Sequence, residues 1–187
     1  MKKFFYLVHR ICHGLMSRMR NFYYRALGVR IKGYVWMRAI EIPRNWEEIT
    51  LEHEVALDHG VSLVCSGPAR RKGDKLVIRA GTYVNRFTIF DAHEHIEVGR
   101  NCMIGPHCYI TDGDHGTAGD QSVKSQPMVK APVIIEDEVW LGANVVILPG
   151  VHIGKGAVVG AGSVVTHDIS SHVVAMGAPA KAVRTRE

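Results

Sequence analysis

The first 40 residues contain no acidic side chain, although they hold nine lysines and arginines. The rest of the chain carries 14 basic against 18 acidic side chains, so the formal net charge of +5 originates in the N-terminal segment. A segment with one sign of charge indicates an anionic partner, such as a membrane surface, a phosphate-bearing substrate or nucleic acid, unless it is only a solvated helix face.

The sequence also lacks long apolar runs and paired cysteines. No run approaches the roughly 20 apolar residues that a membrane-spanning helix needs. The stretch FFYLV ends at His9 and Arg10 without a small-residue cleavage site, so no signal peptide is predicted. The four cysteines form no C-x-x-C pair, which argues against a zinc clip or a redox motif. We therefore expect a cytoplasmic protein in a reducing compartment.

Apolar residues near the N-terminus recur at steps of three and four, which predicts an amphipathic helix. They are Phe4, Val8, Ile11, Leu15, Met19, Phe22 and Ala26. This apolar stripe has three candidate partners: a membrane interface contacted by residues 1–30, the protein's own body, or a neighbouring subunit.

Aliphatic residues recur every six positions in the C-terminal half. The first column is Val129, Ile135, Leu141, Ile147, Ile153, Val159 and Val165, and a second column of small or β-branched residues is Val133, Val139, Val145, Val151, Ala157 and Ser163. A period of six fits neither an α-helix nor an alternating strand, and it is typical of the hexapeptide parallel β-helix. Three hexapeptides close one coil, coils stack about 4.8 Å apart, and both columns point inward.

The same register continues upstream. Val98, Ile104 and Ile110 form one predicted coil with Cys102 and Cys108 as core residues; Ile78, Val84 and Phe90 form another, joined through Ile96; Ile49, Val55 and Val61 form the first. Residues 65–75 are predicted to be a loop. The predicted organisation is a helix and lead-in at 1–45, a β-helix domain at 46–169 and a C-terminal segment at 170–187.

The period fails once, because 19 residues separate Ile110 from Val129. The intervening stretch is polar and rich in glycine and serine, which predicts a projecting loop at 116–128. His115 then lies at the root of this loop, at a corner of the prism. A neighbouring prism wrapped by the loop would supply the cleft that a smooth β-helix lacks.

With the repeats, the GDHG around His115 and the C-terminal GAPAKAVR in view, the chain resembles the hexapeptide-repeat acyltransferases. It is most similar to the branch of galactoside and maltose O-acetyltransferases and polysaccharide-biosynthesis acetyltransferases. The resemblance covers residues 76–186 well and 45–65 loosely. It implies an all-β, left-handed parallel β-helix, a homotrimer with active sites between subunits, acetyl-CoA as acyl donor, and neither a metal nor a nucleic-acid partner.

The resemblance also implies residue roles. His115 matches the catalytic histidine, Asn85 in TYVNRF matches a substrate-positioning asparagine, and Asp91 matches an acidic substrate contact. The acetyl-CoA positions fall on Ala143, Ala161, Thr166, His167, Lys181 and Arg184. A lysine is common in the family where His167 stands.

The implied chemistry is transfer of an acetyl group from a thioester to a hydroxyl. A neutral imidazole, whose unperturbed pKa is about 6.5, can remove the hydroxyl proton near pH 7. Backbone N–H groups near Gly142 and Ala143 are candidate donors to the oxyanion. Asp112 or Asp114 either orients the imidazole or only forms the turn.

The function predicted from the sequence is O-acetylation of a hydroxyl on a sugar, a polysaccharide or a lipid-linked glycan, since a basic amphipathic helix suits a glycan at the membrane. N-acetylation of an amino sugar is the first alternative. A zinc enzyme of the γ-carbonic-anhydrase kind, using His93, His95, His107 and His115, and a non-catalytic scaffold are the others.

Overall fold

The computed structural model describes residues 1–68 and 74–186, except the side chain of Lys3. It begins with helix α1 (Lys2–Leu27), and one-turn 3-10 helices lie at Trp46–Glu48 and Val123–Ser125. The remaining elements are short strands. Of the loop predicted at residues 65–75, residues 69–73 lie outside the described residues.

The strands form three main sheets in the described part of the chain. Sheet I contains β1 (Arg30–Ile31), β3 (Ile49–Leu51), β6 (Leu76–Ile78), β9 (Ile96–Val98), β14 (Val133–Ile135) and β17 (His152–Ile153). Sheet II contains β2 (Trp36–Met37), β4 (Ala56–Leu57), β7 (Tyr83–Val84), β10 (Met103–Ile104), β15 (Trp140–Leu141), β18 (Val158–Val159), β20 (Val173–Gly177) and β21 (Ala180–Thr185). Sheet III contains β5 (Ser62–Cys65), β8 (Ile89–Ala92), β11 (Tyr109–Thr111), β16 (Val146–Ile147) and β19 (Val164–Val165).

The chain visits sheets I, II and III in turn, so that each coil adds one parallel strand to each sheet. Within the described parts of sheets I, II and III, only β21, the last strand of sheet II, runs antiparallel to its neighbour. Inward side chains of successive coils align, as Ile135 does with Ile153 and Leu141 with Val159. The core is therefore the interior of a three-sided prism of parallel sheets, as the period of six predicts.

From residue 133 onwards, the residues of both predicted inward columns are buried, and each is 2% or less exposed. Val129 is the exception, with 59% exposed. It lies in β13 (Met128–Lys130), which pairs antiparallel with β12 (Gly113–His115) outside the prism. The prediction that the coil resumes at Val129 is wrong, because the hairpin ends first and the coil resumes at Val133.

The upstream columns are buried too, including the cysteines. Cys102 and Cys108 are each 1% exposed, and burial raises the pKa of the Cys102 thiol to about 11. Burial also raises the pKa of Cys65 to about 12. These thiols are core side chains, since an apolar environment disfavours the thiolate.

The prediction that the coil at Ile49 is the first is wrong, because β1, β2 and a single bridge from Glu41 to Ser62 form a short, incomplete coil before it. Among the described residues, no coil precedes this one. Its outer edge would leave backbone groups without partners, which is costly when they are buried. Helix α1 supplies those partners with polar side chains. The N–H of Met37 donates to Ser17 Oγ at 2.9 Å, and Asn21 bonds both the N–H and the C=O of Val35, at 3.1 and 2.7 Å. Tyr24 adds a bond from its hydroxyl to the carbonyl of Ile40.

This cap turns the polar face of α1 inward and its apolar face outward. Ser17 and Asn21 are buried, whereas Leu15 is 56% and Phe22 is 76% exposed. Of the three partners considered for the apolar stripe, the protein's own body is therefore excluded. None of the described helices combines the length and the apolar content that crossing a membrane requires.

Candidate active site

His115 lies in the hairpin where the chain leaves the prism. In β12 it is opposite Met128 of β13, and its side chain is exposed. Gly113 brings this hairpin close to the previous coil, because a Cβ there would lie 2.6 Å from the ring of His93. The imidazole is therefore held beside the edge at which sheet III passes into sheet I, here called the III–I edge.

Asp112 anchors the root of this hairpin. Its carboxylate is fully buried and accepts hydrogen bonds from the backbone N–H groups of His93 and Glu94, at 2.6 and 2.8 Å, and from that of His95. Asp114 accepts the N–H of His115 at 2.8 Å, which is a turn interaction. Asp114 therefore forms the turn, whereas Asp112 holds the preceding coil, and within the described residues neither carboxylate hydrogen-bonds the imidazole of His115.

Asp91 lies at the end of β8, next to the III–I edge. Its carboxylate accepts the hydroxyl of Tyr109 at 3.1 Å and lies 3.3 Å from Nε2 of His93. Burial and the negative charge of Asp91 raise the pKa of Tyr109. Asp91 is thus a fixed acceptor, in register with Thr111 two residues before the hairpin.

A groove of about 790 Å³ crosses the outward face of sheet II over the C-terminal coils. Its walls include Met103, Trp140, Ala143, Ala161, Met176 and Arg184. A smaller groove of about 210 Å³ shares Met103, Trp140 and Ala143 with it and extends to Tyr83 and Asn85. A continuous surface therefore connects the predicted substrate residue Asn85 with three predicted cofactor residues, Ala143, Ala161 and Arg184.

A column of glycines forms the floor of this surface, at the edge where sheet II passes into sheet III, here called the II–III edge. A Cβ on Gly105 would lie 2.6 Å from the backbone of Gly142, and one on Gly142 would lie 2.6 Å from the nitrogen of Ala161. Only glycine lets the coils stack this closely. The floor is consequently bare backbone, which a narrow ligand can approach.

The backbone N–H groups of this floor differ in availability. That of Gly142 donates to the carbonyl of Val159 at 2.8 Å, so its predicted role as an oxyanion donor is wrong. Within the described residues, the N–H of Ala143 has no hydrogen-bond acceptor. Ala143 keeps the donor that a developing oxyanion requires.

Thr166 and His167 lie away from this surface. They follow β19 at the III–I edge, where Thr166 Oγ1 and His167 Nδ1 are 2.8 Å apart. The width of sheet III separates them from Ala143 and Ala161. Lys181 lies exposed in β21, opposite Met176 of β20.

The predicted site residues therefore fall into two sets within one chain. The sheet II surface with the II–III edge holds Asn85, Ala143, Ala161 and Arg184, and the III–I edge holds Asp91, His115, Thr166 and His167. Since the prism is rigid, one chain does not bring His115 to Asn85.

Comparisons with known proteins agree with this architecture. The sequence model described as the hexapeptide repeat of succinyl-transferase matches residues 132–167. A point mutant of AntD, an N-acyltransferase from Bacillus cereus crystallised with an amino sugar nucleotide and coenzyme A, superposes with a TM-score of 0.70 at 18% identity, over 87% of each chain. No curated protein matches the sequence significantly.

Two further solved structures are more similar in sequence. A hexapeptide-repeat-containing acetyltransferase from Vibrio cholerae shares 28% identity over 72% of each chain, with a TM-score of 0.61. A galactoside acetyltransferase in complex with coenzyme A shares 28% identity, covering 72% of this chain and 66% of that one, with a TM-score of 0.60. The chain is thus similar to hexapeptide-repeat acetyltransferases, and these relatives support an acyltransferase.

Sequence reasoning missed several groove residues of this acyltransferase. Met103 and Val158 point outward from sheet II, in register with Trp140 on the strand between them. Each stands directly before an inward aliphatic residue, so the period of six could have identified the whole outward row. Met176 was not predictable in this way, because it lies beyond the repeat in β20.

The histidines considered for a zinc site have other contacts. His93 lies beside Asp91, His95 bonds the carbonyl of Asp74 through Nδ1 at 2.9 Å, and the ring of His107 stacks on Phe87. Among the described residues, no group of three or more His, Cys, Asp or Glu side chains is arranged to hold a metal ion.

Proposed function

We propose that this acyltransferase transfers the acetyl group of acetyl-CoA to a hydroxyl of a sugar, a polysaccharide or a lipid-linked glycan, with His115 as general base. The observation that carries the proposal is the exposed imidazole at the root of the hairpin. Within the described residues it has no hydrogen-bond partner, so both ring nitrogens are open to an acceptor. The four free cysteines suit the cytoplasm as its compartment.

The sheet II groove is the proposed acetyl-CoA site. Its bare glycine floor and the side chain of Trp140, which is 52% exposed, suit a narrow pantetheine arm. Arg184 and Lys181 near its end supply cations for the phosphates of coenzyme A. The galactoside acetyltransferase was crystallised with coenzyme A, and the Vibrio cholerae acetyltransferase with acetyl-CoA, which supports this ligand.

The two sets of site residues support a homotrimer of left-handed prisms. A neighbouring chain that presents its III–I edge to the sheet II groove would bring its His115 and Asp91 to Asn85 and Ala143. In this arrangement Asn85 and Asp91 hold the acceptor. Thr166 and His167 of the neighbour complete the coenzyme A contacts from the opposite side of the cleft.

The reaction then follows from these groups. The imidazole of His115 takes the proton of the acceptor hydroxyl as its oxygen attacks the thioester carbon. The N–H of Ala143 donates to the oxyanion of the tetrahedral intermediate. The intermediate collapses by breaking the carbon–sulfur bond, and the imidazolium returns its proton to the departing thiolate.

N-acetylation of an amino sugar is the second candidate. It is favoured by the coverage of AntD, which aligns with 87% of this chain against 72% for the galactoside acetyltransferase. The two activities separate in a screen that pairs each sugar with its amino analogue. Faster release of coenzyme A with the amino sugars would favour N-acetylation over O-acetylation.

The decisive experiment is His115→Ala, assayed by release of the coenzyme A thiol from acetyl-CoA with a panel of sugars. We expect kcat to fall by about 10²- to 10⁴-fold, the usual contribution of a general base. His152→Ala is the matched control, because His152 is an exposed histidine on sheet I. Unchanged turnover in His115→Ala would refute the proposed mechanism.

A further inference from the structure

The outward face of α1 is an apolar surface that the protein's own fold leaves uncovered. Its exposed side chains, here called the α1 face, are Phe4, Val8, Ile11, Leu15, Met19 and Phe22, each between 39% and 76% exposed. A contiguous apolar surface of this kind marks an interaction site. The site is separate from the grooves of sheet II.

The cap on the prism explains why the α1 face cannot turn inward. Ser17, Asn21 and Tyr24 occupy the opposite side of the helix and bond the backbone of the incomplete first coil. Arg20 and Arg25 extend this set by donating to the carbonyls of Met37 and Ile31. Rotating α1 to bury the apolar face would break all of these bonds, so that face must find its partner outside the chain.

The charges around α1 identify the chemistry of that partner. No acidic residue occurs before Glu41, and the region carries nine lysines and arginines. On the side of α1 that faces the prism, a pocket of about 380 Å³ is lined by Tyr6, His9, Arg10, His13, Trp36 and Arg38, and none of these is acidic. An apolar face on a helix with only basic charges suits an anionic lipid surface, which takes the apolar side chains and attracts the cations.

We propose that the α1 face docks this acyltransferase onto an anionic phospholipid surface. The helix lies in the interface with Leu15 and Phe22 among the acyl chains, and the capped prism stands on the opposite side of the helix. The docking does not depend on His115. It carries the whole enzyme to acceptors that are displayed at a membrane.

The test is flotation of the full-length protein with two kinds of vesicle, phosphatidylcholine alone and phosphatidylcholine with 30% phosphatidylglycerol as an added anionic lipid. We expect binding to the anionic vesicles that is at least about tenfold stronger than to the neutral ones and that weakens as salt is raised. Leu15→Glu should reduce binding roughly tenfold or more, because it places a charge in the centre of the apolar face. Val183→Glu, at an exposed valine in the last strand of sheet II, should bind as the parent does.

Two outcomes would overturn the proposal. One is equal or absent binding of the parent protein to both vesicles. The other is a change of oligomeric state in Leu15→Glu, measured by analytical ultracentrifugation without lipid, since that would assign the α1 face to a second copy of the chain. Coenzyme A release with a soluble sugar should be the same in Leu15→Glu as in the parent, which separates failure of docking from failure of the proposed catalysis.

Discussion

Sheets I and II have the same interior and different exteriors. Their inward residues, such as Ile135 and Leu141, are equally buried. Outward from sheet I, Glu97 pairs with Arg79 at 2.8 Å and His152 with Glu136 at 3.0 Å. The face of sheet I thus carries ion pairs beside a mostly charged pocket of about 230 Å³ that includes Glu97, Glu136 and Lys155.

The outward row of sheet II is different in kind. It runs through Tyr83, Met103, Trp140 and Val158, and these side chains border open grooves. Large apolar side chains beside bare backbone are typical of ligand sites. The comparison shows that the inward columns determine the prism, whereas the outward rows distinguish a face rich in ion pairs from the face that is proposed to bind acetyl-CoA.

The largest effect is expected from a substitution in the interior that sheets I and II share. Leu141→Ala should lower the free energy of unfolding by about 2–5 kcal/mol, because it opens a cavity between tightly stacked coils. Ile134→Ala, on the outward side of sheet I, should cost about 1 kcal/mol or less, since its side chain is only half-buried. Urea unfolding measures both. Equal losses would contradict the assignment of inward and outward positions.

A smaller effect, on acetyl-CoA binding and not on stability, is expected from a substitution on the outward face of sheet II. Trp140→Ala should raise the KM for acetyl-CoA about tenfold, because the ring is proposed as a wall of the pantetheine groove. The free energy of unfolding should change little, since half of the ring is already exposed. His152→Ala on sheet I is the control and should leave KM unchanged. A parental KM in Trp140→Ala would remove the groove from the proposed site.

The sequence predicted the interior well because stacking repeats the same requirement in every coil. An aliphatic and a small residue must point inward every six positions, and nothing local competes with that requirement. Val129 was misplaced because a hairpin strand outside the prism also tolerates an aliphatic residue. Counting alone does not separate the two environments, since the antiparallel pairing of β12 with β13 depends on contacts 15 residues apart, between Asp114 and Val129.

The arrangement of the site residues was harder to predict from the sequence than the interior. The resemblance identified residues such as Asn85 and His115, but their positions on different edges follow from the three-dimensional winding. The apolar pattern of the sequence also did not predict the orientation of α1 on the prism. An apolar stripe shows which side of a helix is apolar. Which side meets the prism depends on hydrogen bonds from Ser17 and Asn21 to the edge of the first coil, and that edge cannot be recognised in the sequence.

The smallest expected effect concerns the ion pairs beside the outward face of sheet I. Burial raises the pKa of Glu52, but hydrogen bonds from Arg79 and from the N–H of Ala80 outweigh burial and hold that pKa below its ordinary value. A carboxyl group with a lowered pKa stabilises the fold above its unfolded-state pKa, and this stabilisation is lost as the pH falls through the folded-state pKa. The free energy of unfolding should therefore decrease below about pH 4.5.

Arg79→Gln should cost about 1 kcal/mol or less at pH 7, because the guanidinium is partly exposed and screened by solvent. It should also flatten the decrease in stability below pH 4.5, since the pKa of Glu52 would then move back towards its ordinary value. Arg79→Lys keeps the charge and should retain most of the parental slope, and Trp140→Ala on sheet II should retain all of it. Urea unfolding at steps between pH 7 and pH 3 measures the slopes. A parental slope in Arg79→Gln would show that the ion pairs of sheet I do not contribute to stability, and the contrast between the two faces would then be one of binding alone.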